Sequence, residues 1–178
     1  MSRRAERLPW RASDKLLTSA RDYRRHRART GPVALVLRKV ARLRHIFYSI
    51  CTSSDIDPNA ELGEGLKLPH PNGIVVHAEA RIGRDCMIMQ QVTIGQRSTK
   101  GAPTIGDRVY IGAGAKVLGQ ISIGDGAAIG ANAVVLHDVA PGCTAVGIPA
   151  RVIANSMGID PCEVEALSCV STDKASPQ

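Results

Sequence analysis

A hydrophobic period of six residues runs through residues 105–139. Every unit begins with an aliphatic side chain and carries a small or β-branched residue at its fifth position, the leaders being Ile105, Ile111, Val117, Ile123, Ile129 and Val135. Glycine follows the leader in four of these six units. Hexapeptide repeats predict a β-helix, in which each unit is one short strand and three units make one turn of a triangular prism. We therefore expect each leader to stack inside on the leader eighteen residues later, at the roughly 4.8 Å spacing of neighbouring strands.

The same period extends towards the N-terminus with two interruptions. Earlier leaders run from Ile56 to Ile74, after which the phase slips by two residues and resumes at Val76, Ile82, Ile88 and Ile94. Eleven residues separate Ile94 from Ile105, five more than one repeat, which predicts an exposed loop over residues 96–103. The leaders thus account for about four and a half turns of prism. Aromatic residues make up only 3% of the chain, which suits a thin core of small and branched aliphatics.

The first fifty residues predict two helices. The first covers residues 12–29, with Ser13 or Asp14 as its N-cap and a weak apolar stripe. Gly31 and Pro32 break the chain, and a second, amphipathic helix follows over residues 33–50. We divide the chain into a basic helical segment (1–52), a β-helix domain (53–153) and a tail (154–178) expected to be partly disordered. The helices are expected to cap one end of the prism.

Positive charge is concentrated in this helical segment. Residues 1–50 hold 14 of the 23 Lys and Arg and three acidic residues, a net charge of +11, whereas the remainder carries −4. The basic run fits a solvated helix face, or attraction to an anionic partner such as a membrane surface, a polyanionic glycan or the phosphates of a cofactor. Peripheral membrane contact through the basic N-terminus is thus one alternative. Nucleic acid is not expected, because no aromatic residues are interleaved with the arginines.

Compartment and metal content can also be anticipated. No signal-peptide pattern follows the first arginines, and the longest apolar run, residues 32–37, is too short to cross a bilayer. The five cysteines form no CxxC pair. We expect reduced thiols in a cytoplasmic protein, with neither a disulfide framework nor a zinc site.

Five segments together carry a resemblance to a known family. They are Asp55-Ile-Asp-Pro-Asn-Ala, His70-Pro-Asn-Gly-Ile-Val-Val, Gln91-Val-Thr-Ile-Gly, Ile111-Gly-Ala-Gly-Ala-Lys-Val-Leu-Gly and Gly147-Ile-Pro-Ala-Arg-Val. Over residues 40–153 the chain resembles the serine acetyltransferase branch of the hexapeptide-repeat acyltransferases. The resemblance implies a left-handed parallel β-helix, a homotrimer or dimer of trimers, and transfer of an acetyl group from acetyl-CoA to a hydroxyl. It implies no metal.

The resemblance also implies a catalytic pair. His70 matches the family's catalytic histidine, and Asp55, fifteen residues earlier, matches the aspartate that orients it. A single imidazole near its ordinary pKa can take the proton of an attacking alcohol and later protonate the departing thiolate. The aspartate would hold the ring and stabilise the imidazolium. The acceptor hydroxyl attacks the thioester directly, so no nucleophilic residue is needed.

Three further positions match the family's cofactor-binding residues. Ala113 and Ala131 are one coil apart and would stack at one corner, where small side chains admit the pantetheine arm of CoA. Small residues at a corner also suit ordinary packing. Arg151, in Pro149-Ala150-Arg151, matches the segment that closes over the nucleotide, where a cation suits the phosphates. Arg108 and Lys116 are weaker candidates.

The acceptor is where the chain departs from the family. Serine acetyltransferases have Arg-His ahead of Pro-x-Ile in the loop, where this chain has Gly101-Ala102, and Pro69 replaces the aspartate before the catalytic histidine. L-Serine, which would imply cysteine biosynthesis, and a sugar or polysaccharide intermediate are both candidate acceptors. A non-catalytic β-helix scaffold is the alternative of another class. Gln178 stands where the family has the isoleucine inserted into cysteine synthase, so that complex is not expected.

The other two histidines of the repeats have simpler interpretations. His77 follows the phase slip, where a supporting or interface residue is expected, and His137 is expected to be exposed at a corner. Their spacing from His70 does not match the three zinc ligands of a β-prism carbonic anhydrase. No metal site is therefore predicted.

Overall fold

The structure is a computed structural model that describes residues 7–27, 29–97 and 101–153, with side chains from residue 12 onward. Two helices, α1 (Arg7–Arg27) and α2 (Pro32–Thr52), precede a parallel β-helix. Both predicted helices are present. The predicted N-cap is wrong, because α1 begins at Arg7 and therefore includes Ser13 and Asp14 in its interior. Ser13 is buried there, and Thr18 donates a side-chain hydrogen bond to the carbonyl oxygen of Asp14.

Fourteen short strands follow in the described residues. They are β1 (Asp55–Ile56), β2 (Glu61–Leu62), β3 (Val75–Val76), β4 (Arg81–Ile82), β5 (Met87–Ile88), β6 (Thr93–Gly95), β7 (Thr104–Ile105), β8 (Tyr110–Ile111), β9 (Lys116–Leu118), β10 (Ser122–Ile123), β11 (Ala128–Ile129), β12 (Val134–Val135), β13 (Thr144–Val146) and β14 (Arg151–Ile153). Three sheets form the faces of the prism, in the orders β1-β3-β6-β9-β12, β2-β4-β7-β10 and β5-β8-β11-β13-β14, and all their strand pairs are parallel except β13 with β14. The β-helix expected from the repeat is confirmed.

The leaders of the repeat form the core. Ile56, Ile94, Ile111 and Ile129 are at most 1% exposed, and the leaders from Leu62 to Val135 are all buried. Most fifth positions are buried too, including Val109, Ala115, Ala127, Ala133 and Val139. Glycine is required after several leaders because successive coils approach closely there: a Cβ on Gly63 would lie 2.2 Å from the carbonyl oxygen of Gly83. The period thus places one side chain per unit inside and brings the backbones together at the corners.

The two interruptions are visible in the strand register. Asp55 pairs with Val75, twenty residues on, whereas a regular coil such as Lys116 to Val134 takes eighteen. Thr93 pairs with Lys116, twenty-three residues on, so the second interruption adds five residues to one coil. The predicted loop is shorter at the surface than expected, because Ala102 and Pro103 are buried. Residues 98–100 lie outside the described residues.

The helices cover the first coil. Leu16, Leu17 and Ala20 of α1 belong to the same buried cluster as the leaders. Arg21 and Arg24 donate hydrogen bonds to the carbonyl oxygens of Gly63 and Ala60. On α2, the Nε2–H of His45 donates to the carbonyl oxygen of Ile56 at 2.7 Å, and its Nδ1 lies 3.1 Å from the hydroxyl of Ser19. Several arginines of the basic segment are therefore structural anchors.

The amphipathic helix α2 packs through an unexpected face. Its buried residues are Ala34, Ala41, His45 and Thr52, while its large aliphatic residues between Val33 and Ile50 are exposed. An amphipathic helix normally packs its apolar stripe against the core. Here the small residues pack and the large apolar ones face outward. Neither described helix is long and apolar enough to cross a membrane.

The far end of the prism closes with a reversal of chain direction. Strand β14 runs antiparallel to β13, with Arg151 paired to Val146 and Ile153 to Thr144. The amide of Ala150 donates to the carbonyl oxygen of Val134 at 2.8 Å, which holds the preceding turn against β12. The predicted tail, residues 154–178, lies outside the described residues.

Candidate active site

His70 lies in a tight turn between the first and second coils. Prolines on either side, Pro69 and Pro71, restrict φ and remove two backbone donors, so the turn must be held by other residues. The amide of Asn72 donates to the carbonyl oxygen of His70 at 2.7 Å, and the amide of Gly73 donates to that of Ser53 at 2.8 Å. The imidazole is exposed and makes no side-chain hydrogen bond within the described chain. Its ring nitrogens are free to bind a substrate.

An open pocket of about 590 Å³ surrounds this imidazole. Three parts of the fold build it: Ala12 from α1, the end of α2 with the following Ser53, and the first two coils. The lining residues are Ala12, Cys51, Thr52, Ser53, His70, Pro71, Asn72 and Gln90. Hydroxyl, amide and imidazole groups therefore meet in one place, and together they could bind a polar substrate.

Asp55 lies at the start of the first coil. It is exposed in β1, where its amide donates to the carbonyl oxygen of Ile74 at 2.8 Å and its backbone pairs with Val75. Among the described residues no hydrogen bond joins its carboxylate to His70. The orienting role of Asp55 stays a prediction, because catalytic hydrogen bonds are often long before substrate binds.

Gln90 and Asn72 are pocket residues that the sequence did not single out. Gln90 precedes the turn into β6, and its Oε1 is buried without a hydrogen-bond donor in the described structure. A buried polar atom without a partner is costly unless a ligand or water satisfies it. The only sequence signal was the place of Gln90 twenty residues after His70, which matches the twenty-residue length of the first coil.

The proposed cofactor positions lie further along the prism. Ala113 and Ala131 are half-buried at one corner, where the amide of Asn132 donates to the carbonyl oxygen of Ala113 at 2.8 Å. Arg151 is exposed in β14. Lys116 is less available than expected, because its Nζ donates to the carbonyl oxygen of Gln91 at 2.7 Å. The structure places both alanines as expected and leaves their role as a prediction.

Asp107 and Cys86, two groups with shifted pKa values, lie outside the pocket. Asp107 accepts hydrogen bonds from the backbone amide of Arg84 at 2.7 Å and from its guanidinium at 2.8 Å, which lowers the pKa of the Asp107 carboxyl. Burial raises the pKa of the Cys86 thiol, whose Sγ lies 3.1 Å from the carbonyl oxygen of Gly106. Both groups form hydrogen bonds between neighbouring coils and neither lines the pocket of His70, so neither is a candidate for catalysis.

The remaining histidines are placed outside the pocket. The Nδ1 of His77 accepts a hydrogen bond from the amide of Glu79 at 3.2 Å, and His137 is exposed. Within the described ranges, no group of three His, Cys, Asp or Glu side chains could hold a metal ion. Cys51, Cys86 and Cys143 are free thiols there.

Comparison with known proteins agrees with this architecture. Residues 102–137 match the family model described as bacterial transferase hexapeptide (six repeats). Serine acetyltransferase from Synechococcus elongatus is 44% identical over 126 residues, which are 68% of this chain and 52% of the relative. Soybean serine acetyltransferase complexed with serine superimposes with a TM-score of 0.67 at 38% identity, over 80% of this chain and 56% of that chain. A serine acetyltransferase in complex with CoA gives 0.64 at 35% identity, over 80% and 55% of the two chains.

The chain spans about half the length of the curated relatives it matches. The sequence identity and the shared fold support the resemblance carried by the His70 and Asp55 segments. This chain therefore carries the repeats of the bacterial hexapeptide transferases over residues 102–137, and the relatives to which it is similar over about two thirds of its length are serine acetyltransferases.

Proposed function

We propose that the protein is an acetyl-CoA-dependent O-acetyltransferase with His70 as its general base. The observation that carries the proposal is the exposed His70 imidazole in a polar pocket, on a β-helix similar to serine acetyltransferases solved with serine and with CoA. Both ring nitrogens remain available for a substrate proton. A scaffold would not need this pocket.

The reaction needs one proton acceptor that also serves as a donor. The acceptor hydroxyl attacks the thioester carbon of acetyl-CoA while His70 takes its proton, giving a tetrahedral intermediate. Collapse of the intermediate breaks the carbon–sulfur bond, and the imidazolium protonates the leaving thiolate. Asp55 would orient the ring and stabilise its charged form. Ala113 and Ala131 would line the path of the pantetheine arm, and Arg151 would pair with the phosphates.

L-Serine is the first candidate acceptor, because the relatives of known structure include one complexed with serine. A sugar or polysaccharide hydroxyl is the second. It is favoured by Pro69 and by Ala102, which stand where serine enzymes carry side chains that hold the amino acid, and Ala102 is buried rather than presented to the pocket. We further propose a cytoplasmic homotrimer or dimer of trimers.

The test follows thiol release from acetyl-CoA by the purified full chain with serine, homoserine and a panel of sugars. We expect release well above the rate of hydrolysis with one class of acceptor. Release with serine would reject the saccharide alternative, and release with sugars alone would reject serine. If none of the acceptors gives thiol release and calorimetry detects no binding of acetyl-CoA, the enzyme proposal is overturned in favour of the scaffold.

A further inference from the structure

Helix α2 exposes a continuous apolar row. Six large side chains recur at alternating spacings of three and four residues, and each is between 47% and 73% exposed: Val33, Val36, Val40, Leu43, Phe47 and Ile50. We call these six residues the apolar row. Contiguous exposed apolar surface of this kind marks an interaction site more often than a solvated face.

The row points directly away from the rest of the protein. Ala34, Ala41 and His45 on the other side of α2 are buried, and His45 contacts Ser19 of α1 and Ile56 of the first coil. At 100° per residue, the centre of these three positions and the centre of the apolar row are roughly 150° apart around the helix. The buried side of α2 therefore carries alanines and a histidine, whereas the large apolar side chains of the apolar row face outward.

Cations border the apolar row. Lys39, Arg42 and Arg44 are exposed, and α2 contains no acidic residue. One carboxylate from α1 reaches this side, Asp22, which lies 3.5 Å from Arg44. Lys39 and Arg42 form no ion pair in the described structure. An apolar helix face flanked by cations has the composition of helices that lie in the plane of an anionic membrane surface.

A second copy of α2 is the competing occupant, because the spacing of the row is that of a coiled-coil seam. Two features of α2 oppose it. Lys39 and Arg44 occupy the positions that flank such a seam, and a parallel pair would bring them together without an acid to neutralise them. The apolar surface is also wider than a two-helix seam, since Leu35, Leu37 and Ile46 beside the row are exposed as well.

We propose that α2 docks the protein on an anionic lipid surface through the apolar row. The apolar side chains enter the boundary between head groups and acyl chains, while Lys39, Arg42 and Arg44 contact lipid phosphates. Ile50 ends the row next to Cys51, which lines the pocket of His70. Docking would therefore place the mouth of the pocket close to the lipid surface.

The test is flotation of the full chain with vesicles of phosphatidylcholine alone or with phosphatidylglycerol as about one third of the lipid. We expect binding to the anionic vesicles, at least roughly tenfold weaker binding for Leu43→Glu, and loss of anionic preference for a Lys39→Ala, Arg42→Ala double variant. Val152→Glu is the control, because Val152 is also an exposed aliphatic residue but lies outside α2, on β14. Circular dichroism checks that each variant is folded.

Three outcomes would overturn the proposal. They are no binding of the wild type to anionic vesicles, equal binding to neutral and anionic vesicles, and equal weakening by Leu43→Glu and Val152→Glu. Light scattering in the absence of lipid identifies the competing occupant. If Leu43→Glu reduces the oligomer size while the wild type fails to bind vesicles, the apolar row is an interface between copies of the chain.

Discussion

The backbone amide of Gly73 donates a hydrogen bond to the carbonyl oxygen of Ser53 at 2.8 Å, which ties the turn of His70 to the residue that caps the C-terminus of α2. The carbonyl oxygen of Asn72, in the same turn, accepts from the amide of Gln91 on the next coil at 2.8 Å. The position of His70 is thus set by backbone hydrogen bonds to Ser53, which follows α2, and to Gln91 on the next coil. Its flanking prolines could not supply these bonds themselves.

Gly73→Ala should impair both stability and turnover. Gly73 has φ +65, and an added Cβ would lie 3.3 Å from Cγ of Gln91. The left-handed conformation costs a non-glycine residue roughly 1–2 kcal/mol, so the free energy of unfolding should fall by about that amount. Gly126→Ala is the matched control, with the same φ and no atom within 4 Å of the added Cβ. Denaturant unfolding should show similar losses for both, and only Gly73→Ala should lower kcat. Equal kcat values would contradict a positioning role for the turn.

His70→Ala should lower kcat at least about 100-fold, the usual contribution of a general base. Asp55→Ala should have a smaller effect, because it acts through the ring. His137→Ala is the control, since His137 is an exposed histidine outside the pocket. Steady-state kinetics with saturating acetyl-CoA measures all three. A fully active His70→Ala protein would refute the assignment.

Gln90→Ala should raise the KM for the acceptor about tenfold, with a smaller change in kcat, because the bound acceptor would lose its hydrogen bond to the buried Oε1 of Gln90. Gln120→Ala serves for comparison, since Gln120 is exposed on a later coil. The KM for acetyl-CoA should stay constant in both variants. An unchanged acceptor KM would show that Gln90 does not contact the acceptor.

Ala131→Leu should raise the KM for acetyl-CoA about tenfold by narrowing the corner shared with Ala113. Ala140→Leu adds the same bulk at an exposed site on the prism and should leave the KM unchanged. Thermal unfolding checks that both variants are equally stable. If the two have the same KM, the pantetheine arm does not pass this corner.

Asp107→Asn should destabilise the protein at neutral pH but not in acid. Hydrogen bonds from Arg84 lower the pKa of Asp107 in the folded protein, so its contribution is present above the ordinary carboxyl pKa of about 4. The contribution is lost as pH falls through the lower folded pKa. The Tm difference between variant and wild type should therefore shrink below about pH 4. Glu64→Gln, at an exposed carboxylate, should show little difference at any pH. A gap that persists in acid would contradict this account.

Much of the β-helix follows from sequence alone. One buried position every six residues, as in Ile111, Val117 and Ile123, is satisfied by stacked coils. Three units make one turn, so each leader lies one strand spacing away from the leader eighteen residues later. The two irregular coils were predictable for the same reason: extra residues between leaders must leave the prism. The register of Asp55 with Val75 and of Thr93 with Lys116 confirms both lengths. Period six does not determine the hand of the helix, which came from the family resemblance.

Only the tertiary structure decided which side of α2 packs and how the pocket is assembled. The apolar spacing of α2 is typical of a helix that buries its large apolar side chains, yet the residues that α2 buries include Ala34 and Ala41. The pocket joins Ala12, Ser53 and Gln90 around His70, and these residues are far apart in the chain. Local periodicity reports how each segment repeats, whereas the faces that meet depend on shape complementarity between segments. For that reason the sequence determined the prism and the candidate base, and the structure alone decided what surrounds His70.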